Sequence, residues 1–577
     1  MKKLKLFFLT SSTILLTLLM LGACASEAKL TDEIGGIPKI TLKIPADNAV
    51  IDLSATDKVS FAWTDDNAAP AYVLEMSKVG STSGTSRKYN TTVTALDIVS
   101  GEMDVEIAGT LGGAKKGEEA QIQWSVSPTA GTYTKAEVRK FGVKRIPDDT
   151  PPPVDPEQPS TDQLSDNSGQ QIPIFAWYGF NTNAPEERWA DMKAAGFTIS
   201  QAKDMLLLYN DRQDVFAGGS SAVFFSGLDA AAAHGIQLVV TPRVFDFLSP
   251  ADVNKLKAHP GLWGYHIADE PRTVAEFAEI NSTINKAKSF DNTHPCYVNL
   301  AGCLHCDDAT PNSWAPTLSA GPAFPEPSPC IGFVKSFVDA VPVPMLSFDV
   351  YPIWVNTNTN QRELQKRWYY TLDVMSAESK RKNIPLWAFA LTTAHFNSGY
   401  PYPIPTKNDL RLQVYSNLAY GAQLIAYFTY EYTPQYNGTP WEGPFTESGT
   451  KTSTYYTMKG MNEEFIPLSA VFLNAEMIWA AHTGEIPAGC TELDRSKLPS
   501  VFQSLDITGG KGALVSLMKK GNDNFLVIVN HDINEDISVQ VSGTAALRRV
   551  KKDASVVIAD NRVHTVTPGD VLIYFWK

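Results

Sequence analysis

Two adjacent carboxylates close an apolar stretch in the middle of this chain. The segment GLWGYHIADEP spans residues 261–271, and its apolar run ends on Asp269 and Glu270 before Pro271. Carboxylates are costly to bury and are seldom fully buried unless they are paired. A buried strand that ends on two acids therefore indicates that it emerges into a site. General acid and base catalysis is one chemistry that such a pair of carboxyl groups offers.

The elements that would position these acids form a repeating pattern between residues 173 and 482. Short apolar segments alternate with amphipathic segments of helical periodicity, and eight such units predict a (β/α)8 TIM barrel. An open, doubly wound sheet is the alternative, but no glycine-rich phosphate loop follows the first strand. The predicted strands are 173–180, 197–202, 236–243, 261–268, 295–301, 344–353, 384–393 and 422–430.

Polar and aromatic residues recur where the predicted strands end. In a (β/α)8 barrel these ends meet at one face, where catalytic groups are found. Carboxyl groups could protonate a leaving oxygen and attack or activate water, while aromatic faces hold sugar rings. The candidate catalytic residues are Glu270, Glu431 and Asp349. The candidate substrate-binding residues are Trp177, Tyr178, Asn181, Asp204, Arg243, His266, Asp269, Asn299, Tyr351, Trp354, His395 and Tyr430.

Structural roles compete with these functional ones. Asp269 could form a buried ion pair with Arg243 on the neighbouring strand, which would hold two strand ends together. Asp349 could be a scaffold acid that orients a neighbour. The two histidines of this rim could simply be hydrogen-bonded, and its tryptophans could belong to the core.

The barrel with Asp-Glu-Pro closing its fourth strand resembles the clan A glycoside hydrolases, especially β-galactosidase-like barrels of Bacteroidetes lipoproteins. In that clan the fourth strand ends Asn-Glu-Pro and the Glu is the general acid/base, so the resemblance implies that role for Glu270. The clan's Asn contacts the sugar, whereas this chain has Asp269 there. The clan's nucleophile is a Glu that ends strand seven. The corresponding segment here, IPLWAFALTTAHF, contains no carboxylate.

Three interpretations of the second carboxylate follow from this departure. Glu431, at the end of the eighth predicted strand, could supply it. Asp349, at the end of the sixth, could instead activate water. The barrel could also have lost hydrolysis and bind glycan only. A separation between carboxyl groups of about 5 Å would indicate retention, and about 6.5–9.5 Å would indicate inversion.

Segments with a different sequence pattern flank the predicted barrel. Residues 24–147 contain short alternating strands separated by turns, which predict a β-sandwich. Their run IPADNAVIDLSATDKVSFAWTDDNAAPAYVLEMSK resembles the immunoglobulin-like N-terminal domains of starch-utilisation surface lipoproteins. Residues 148–172 are rich in Pro and acid and predict an extended linker. Residues 483–577 return to alternation and predict a C-terminal β-sandwich.

The N-terminus predicts export. Residues 1–23 begin with three lysines and continue with a short apolar stretch, which is typical of a signal peptide. The tetrad Leu21-Gly22-Ala23-Cys24 resembles the bacterial lipoprotein box, which implies cleavage before Cys24 and lipidation of its thiol. We therefore expect a lipoprotein anchored to the outer membrane, on its surface or its periplasmic face.

Composition restricts the partners. The formal net charge is −13, and without a leader that carries three Lys and no acid, 46 basic residues face 62 acidic ones, a net charge of −16. Nucleic acid requires a basic footprint and is not expected. The CLHC motif at 303–306 lacks a second pair for zinc, so a disulfide within 303–330 or free thiols are expected rather than a metal. No cofactor is expected.

The sequence thus predicts a glycoside hydrolase that cleaves O-glycosidic bonds in a polysaccharide or oligosaccharide at the cell surface. A non-catalytic glycan-binding lipoprotein that serves polysaccharide-uptake machinery is the alternative. A structural surface protein is a weaker third possibility.

Overall fold

Eight parallel strands close into a barrel in this computed structural model. Tyr427 on the last strand pairs with Ala176 on the first, so the sheet has no open edge. All eight predicted strands overlap the observed ones; the predicted barrel is confirmed and the open-sheet alternative is wrong. The strands are β1 (Ile174–Gly179), β2 (Ile199–Ala202), β3 (Gln237–Val240), β4 (Leu262–Asp269), β5 (Cys296–Ala301), β6 (Leu346–Asp349), β7 (Leu386–Leu391) and β8 (Ala422–Phe428).

The structure describes residues 39–145 and 158–577, apart from 54–55, 57, 67, 81–85, 109–110, 112–113, 132, 134–135, 166–168, 210–220, 303–328, 366, 398–399 and 433–440. The predicted leader with its lipidated Cys24 and the CLHC motif lie outside the described residues. Cys330 is disulfide-bonded, and its partner also lies outside them. No helix among the described residues has both the length and the apolarity needed to cross a membrane.

Alternation along β7 shows how the sequence builds the barrel wall. Trp387, Phe389 and Leu391 point inward and pack with Phe175 and other residues of the barrel interior. The intervening small residues face outward against the helices. Because both faces of the strand are covered, all six of its residues are buried, as expected for a parallel sheet.

Helices surround the barrel on its outer side. The segment Lys407–Ala419 starts at Thr406, whose hydroxyl accepts the N–H of Asp409 while the Asp409 carboxylate accepts the N–H of Thr406. This capping box fixes the start of the helix. The helices are α1 (Glu186–Ala194), α2 (Lys203–Tyr209), α3 (Ser221–Ala233), α4 (Pro250–Lys257), α5 (Glu276–Phe290), α6 (Pro329–Ala340), α7 (Trp368–Lys382), α8 (Lys407–Ala419) and α9 (Ser453–Phe465), followed by a short turn of helix at Ser469–Phe472.

Two antiparallel sheets follow the barrel and pack on it. The apolar face of the larger sheet that packs on the barrel shares a core with α8 and includes Phe525 and Val527. The α8 residues from Asp409 onward are all buried. The larger sheet contains, in spatial order, Glu476–His482, Ala513–Lys520, Asp523–Asn530, Val571–Trp576, Arg548–Val550 and Val556–Ile558, and the smaller sheet contains Phe502–Thr508, Ile537–Gly543 and Val563–Val566.

Part of the predicted linker lies along these sheets. Pro159 forms an isolated bridge with Val557, and the Ser165 hydroxyl donates to Asp523 at 2.6 Å. Asp162 pairs with Arg548 at 2.6 Å. The second half of the Pro-rich stretch therefore gains contacts that its composition does not reveal.

The described residues between 39 and 145 form a separate compact unit. Two sheets enclose a shared core in which Phe61 meets Trp124 edge-on, with ring centroids 5.0 Å apart. This agrees with the predicted two-sheet unit; its immunoglobulin-like character stays a prediction. One sheet contains Ile40–Ile44, Lys58–Asp65 and Ala95–Val99; the other contains Ala49–Asp52, Val138–Lys144, Glu119–Pro128, Tyr72–Lys78 and Ser86–Thr91; and one helix spans Ser100–Ala108.

A buried ionic cluster joins the barrel helices to the C-terminal sheets. The Glu464 carboxylate on α9 accepts hydrogen bonds from Arg411 on α8 at 2.8 and 2.9 Å and from Lys552 at 2.7 Å. Tyr415 donates to the same carboxylate at 2.9 Å. Although burial opposes its charge, these partners lower the pKa of Glu464. The carboxylate is therefore an ionised anchor between the two layers.

We predict that Glu464→Gln destabilises the protein by about 1–3 kcal/mol, because the buried Arg411 loses its closest carboxylate, although Asp570 still pairs with Arg411 and Lys552. Because the folded-state pKa of Glu464 is lowered, this contribution is complete above the pKa of an unfolded glutamate and is lost as the pH falls below it. Urea denaturation at about pH 7 and about pH 3 measures the difference, which should shrink in acid.

Glu463→Gln is the matched control. Its carboxylate is exposed and pairs with Lys459, one turn away on α9, at 2.5 Å. We expect a change below about 0.5 kcal/mol for this substitution. Equal losses in the two variants would show that the ionic cluster does not anchor the layers.

Candidate active site

The two carboxylates that end strand four emerge at the barrel mouth. Asp269 is the last residue of β4, and the N–H of Glu270 continues the ladder by donating to the Asn299 carbonyl at 2.8 Å. Glu270 has φ +44°, in the left-handed region that few residues other than glycine adopt. The chain therefore turns sharply at Glu270, and the following Pro271 is buried.

Asn299 on β5 joins the end of β4 to the end of β6. Its side-chain N–H donates to Asp349 at 2.7 Å and to Asp269 at 3.3 Å. Its amide oxygen accepts from the Ser347 hydroxyl at 2.9 Å, which fixes the orientation of the amide. Since one nitrogen reaches both carboxylates, the two bonded oxygens lie at most 6.0 Å apart, the sum of the two distances. We call Asp269, Glu270 and Asp349 the acid cluster.

Burial and mutual repulsion raise the pKa values of the two aspartates. The pKa of Asp269 rises to about 7, first because of burial and then because of the Glu270 charge, while Asn299 opposes the rise. Burial, followed by the charges of Glu270 and Asp269, raises the pKa of Asp349 well above its ordinary value. Asp269 also borders open solvent, and water there offsets part of its rise. Asp269 and Asp349 interact and together retain a proton near neutral pH.

Glu270 is partly exposed at the mouth beside a cation, and Asp269 is exposed there as well. Its side chain is 37% exposed, and Arg272 lies 3.7 Å away with a side chain that is 48% exposed. Solvent screens an ion pair of this kind, so Arg272 holds Glu270 weakly. Glu270 can therefore move toward a bound molecule.

Tyr351 supplies a buried hydroxyl next to Asp349. This hydroxyl lies close enough to lower the pKa of Asp349, although the two groups do not meet hydrogen-bond geometry. Burial, followed by the Asp349 charge, raises the pKa of Tyr351 well above its ordinary value, so the phenol stays protonated. Tyr351 thus presents a donor to the acid cluster.

Aromatic rings line the mouth next to Tyr351, and we call this group the aromatic wall. Tyr351 stacks on Phe428 with centroids 5.6 Å apart, and His395 stacks on Tyr402 at 4.7 Å. Trp441 lies 5.0 Å from His395. The nitrogen Nδ1 of His395 lies 2.8 Å from the Thr393 carbonyl, and burial lowers the pKa of this ring, so it is neutral. Partly exposed Phe428 and Trp441 give the wall an accessible face.

Two predicted binding residues lie beneath the mouth instead. His266 and Trp177 are buried and meet edge-on with centroids 5.1 Å apart. Burial lowers the pKa of His266 to about 3, so its ring is neutral. These side chains fill the barrel interior, and their placement does not support direct contact with a ligand.

Other predicted residues hold the rim. Asp204 accepts the N–H of Thr182 at 3.1 Å and also its hydroxyl, which fixes the loop after β1. Tyr430 is buried among the rings of Phe180, Phe197 and Phe445. These placements indicate structural roles.

Two further residues lie nearer the acid cluster. Burial, followed by the Asp269 charge, raises the pKa of Tyr178, so this half-buried phenol faces the cluster. Trp354 is partly buried against the barrel interior.

Glu431 faces a different pocket. This pocket has a volume of about 220 Å³ and is lined by Asn181, Arg188, Lys203 and Glu431 among others. Burial raises the pKa of Glu431, while the Tyr432 N–H and then the charges of Arg188 and Lys203 oppose the rise. The structure therefore places Glu431 with two cations, whereas it places Asp349 with Asp269 and Glu270.

Arg243 and Asp269 line a polar groove beside the mouth. The groove has a volume of about 750 Å³ and follows α5, with Lys286 and Asp246 paired at 2.9 Å along it. The charge that acts on Asp269 is that of Glu270. Asp269 therefore belongs electrostatically to the acid cluster.

The end of strand seven carries hydroxyls where the clan carries its nucleophile. The Thr392 hydroxyl donates to the Thr429 carbonyl at 2.8 Å, and the Thr393 and Thr429 hydroxyls lie 2.9 Å apart. Residues 384–397 contain no carboxylate. The end of strand seven therefore lacks a carboxylate in the structure, as the sequence indicates.

Sequence reasoning missed two residues that organise the acid cluster. Ser347 orients Asn299, and Tyr297 supports Ser347 with its hydroxyl 3.1 Å away. A serine within the apolar run MLSFDV was an available signal, because a buried hydroxyl needs a partner. Trp441 was missed because it lies far along the chain from the strand ends.

Comparisons with known proteins find similarity only at the level of fold. A β-galactosidase from Bacillus circulans sp. alkalophilus is 8% identical, with a TM-score of 0.45 over 70% of this chain and 99% of that chain. A β-galactosidase from the psychrophilic Marinomonas ef1 is 9% identical, with a TM-score of 0.36 over 52% of this chain and 61% of that enzyme's length. A β-glucuronidase from Parabacteroides merdae is 9% identical, with a TM-score of 0.30 over 93% of this chain and 74% of that chain.

No family model and no curated protein matches the chain. With identities near 10% and TM-scores below 0.5, these neighbours carry no residue roles over to it.

We predict that Asp349→Asn stabilises the folded protein by about 0.5–2 kcal/mol at about pH 8, because the partly buried Asp349 carboxyl must take up a proton or carry a repelled charge on folding, and asparagine does neither. The folded-state pKa of Asp349 is raised, so the wild-type carboxyl is unfavourable only once the pH exceeds the unfolded value. The gain should therefore shrink toward about pH 5. Thermal denaturation at both values measures it.

The exposed Asp506, in the C-terminal sheets, provides the control for this prediction. Asp506→Asn should change stability equally at both pH values. A destabilising Asp349→Asn at high pH would show that its carboxylate is a satisfied structural ion.

Proposed function

We propose that this protein is a glycoside hydrolase that cleaves O-glycosidic bonds in a polysaccharide or oligosaccharide. The observation that carries the proposal is the acid cluster, which holds a proton near neutral pH at the barrel mouth beside the aromatic wall. Cleavage of a glycosidic bond needs a proton for the leaving oxygen and a negative charge for the oxocarbenium-like transition state.

Glu270 is the proposed general acid/base. It is partly exposed at the mouth beside Arg272, and the turn at its positive φ takes it beyond the end of the strand. The repelled carboxyls share their proton, so a sugar oxygen that approaches Glu270 can draw the proton to it. The same carboxylate then removes a proton from the attacking water.

Asp349 is the proposed second carboxylate, in preference to Glu431. The negative charges of Glu270 and Asp269 act on Asp349, whereas the positive charges of Arg188 and Lys203 act on Glu431. The negative charge that Asp349 and Asp269 share beside their proton would stabilise the positive charge that develops at the anomeric carbon. The accessible rings of the aromatic wall would hold the sugar by stacking.

The second candidate function is glycan binding without hydrolysis. The observation that favours it is the end of strand seven, where threonine hydroxyls lie bonded to one another. A barrel that keeps its aromatic wall but lacks an attacking group would bind sugar and release none.

We also propose that the protein works as a lipoprotein of the outer membrane, anchored through Cys24 and serving a polysaccharide-uptake system. The basic start, the apolar stretch and the Leu-Gly-Ala-Cys tetrad support this. Metabolic labelling with a fatty acid in a bacterial host should mark the wild type and not Cys24→Ser. Equal labelling of both would contradict the anchor.

We predict that wild-type protein releases sugar from at least one member of a panel of polysaccharides and nitrophenyl glycosides. Glu270→Gln should lower kcat/KM by about 10²–10⁴-fold, because the amide cannot transfer a proton. Glu442→Gln is the control, since this exposed residue pairs with the chain through its backbone. Binding without any release of sugar would contradict hydrolysis and favour the second candidate function.

The choice of second carboxylate has its own test on the same substrate. We expect Asp349→Asn to lower kcat about 100-fold or more. Glu431→Gln should lower it less than about tenfold, because Glu431 belongs to another pocket. A larger loss of kcat in Glu431→Gln than in Asp349→Asn would assign the role of second carboxylate to Glu431.

A further inference from the structure

The acid cluster contains no group suited to attack an anomeric carbon. A carboxylate nucleophile must be ionised and free to approach. Asp349 is held by Asn299 at 2.7 Å, and burial and repulsion favour its protonated form. Asp269 is held by the same amide, and Glu270 must deliver the proton. If the protein is a glycoside hydrolase as proposed, the attacking atom must come from water or from the substrate.

The groups around the cluster are complementary to a secondary amide. An amide N–H needs an acceptor, which the Asp269 and Asp349 carboxyl oxygens can provide. An amide carbonyl needs a donor, and the Tyr351 hydroxyl is a buried donor with no partner in hydrogen-bond geometry. Tyr351 is only 8% exposed, and its hydroxyl lies close to Asp349 without good hydrogen-bond geometry, so a ligand carbonyl can compete with Asp349 for this donor.

The surroundings also suit the methyl group of an acetamide. Phe428 stacks on Tyr351 at an interplanar angle of 29°, and it is only partly buried. An apolar ring beside a buried phenol donor gives one surface for a methyl group and one for a carbonyl oxygen.

From this arrangement we infer that the substrate is a glycoside of a 2-acetamido-2-deoxy sugar, whose own acetamido carbonyl oxygen acts as the nucleophile. This inference rests on the proposed function and names the substrate class of the same site. Substrate-assisted hydrolysis of this kind needs an acid and an acceptor for the amide, and no enzyme nucleophile.

The first step breaks one bond and forms another. The Glu270 carboxyl donates its proton to the glycosidic oxygen as the bond from that oxygen to the anomeric carbon breaks. The acetamido carbonyl oxygen bonds to the same carbon from the opposite face and forms a cyclic oxazolinium ion. Asp269 and Asp349 hold the N–H of this cation, and Tyr351 orients the carbonyl oxygen before it attacks.

The second step restores the acetamide. The Glu270 carboxylate accepts a proton from a water molecule, whose oxygen bonds to the anomeric carbon. The bond between that carbon and the oxazolinium oxygen breaks, and its electron pair returns to the carbonyl. Glu270 is again protonated. The anomeric carbon is inverted in each step, so its configuration is retained overall.

Matched pairs of substrates test the inference. The nitrophenyl β-glycosides of N-acetylglucosamine and N-acetylgalactosamine are compared with those of glucose and galactose on wild-type protein. We expect kcat/KM to be about 100-fold or more higher for an acetamido substrate than for its 2-hydroxy partner, because the nucleophile is supplied intramolecularly. Equal or faster cleavage of a 2-hydroxy partner would overturn the inference while leaving the hydrolase intact.

A binding measurement covers the case in which small nitrophenyl substrates are too short. The thiazoline analogue of N-acetylglucosamine mimics the cyclic intermediate, and calorimetry with wild-type protein should show that it binds. Tyr351→Phe and Asp269→Asn should each weaken it about tenfold or more, while Glu442→Gln should not. Absence of thiazoline binding in a protein that cleaves other glycosides overturns the inference alone. Absence of binding together with absence of any cleavage overturns both it and the proposed function.

Discussion

The site depends on one side-chain amide, that of Asn299. It donates to the last residues of two barrel strands that are not neighbours, at 2.7 and 3.3 Å, and Ser347 fixes its orientation. A single amide group thereby holds Asp269 and Asp349 close together although they repel one another. A water molecule could bridge them equally well, but only a covalently fixed amide keeps their separation constant.

Burying like charges at the mouth costs stability that other parts of the fold must supply. The closed barrel leaves no strand edge, and α8 is buried between β7, β8 and the C-terminal sheets. The ionised Glu464 with its cationic partners joins those layers on the outer side of the barrel. The molecule thus contains two kinds of carboxyl. Glu464 is buried, paired with cations and ionised, whereas Asp269 and Asp349 are crowded by acids and favour protonation.

The site was predictable in part, and the limits have physical causes. Glu270 and Asp269 could be located because two acids at the end of an apolar run have few structural explanations. Asn299 and Asp349 could be placed at the same rim, since parallel strands end together. Trp177 and His266 were expected at the rim as well, but they point into the packed interior, because strand alternation and not residue type decides direction.

The sequence by itself determined the eight strands, their order at the mouth and the absence of a carboxylate on strand seven, because hydrophobic runs and strand ends are local features. Only the tertiary structure decided which acid accompanies Glu270. Asp349 and Glu431 both follow strand ends, but Asn299 and the turn at Glu270 bring Asp349 into the cluster, while Arg188 and Lys203 surround Glu431. Those neighbours come from distant parts of the chain, and a carboxylate's protonation depends on them and not on its own position in the sequence.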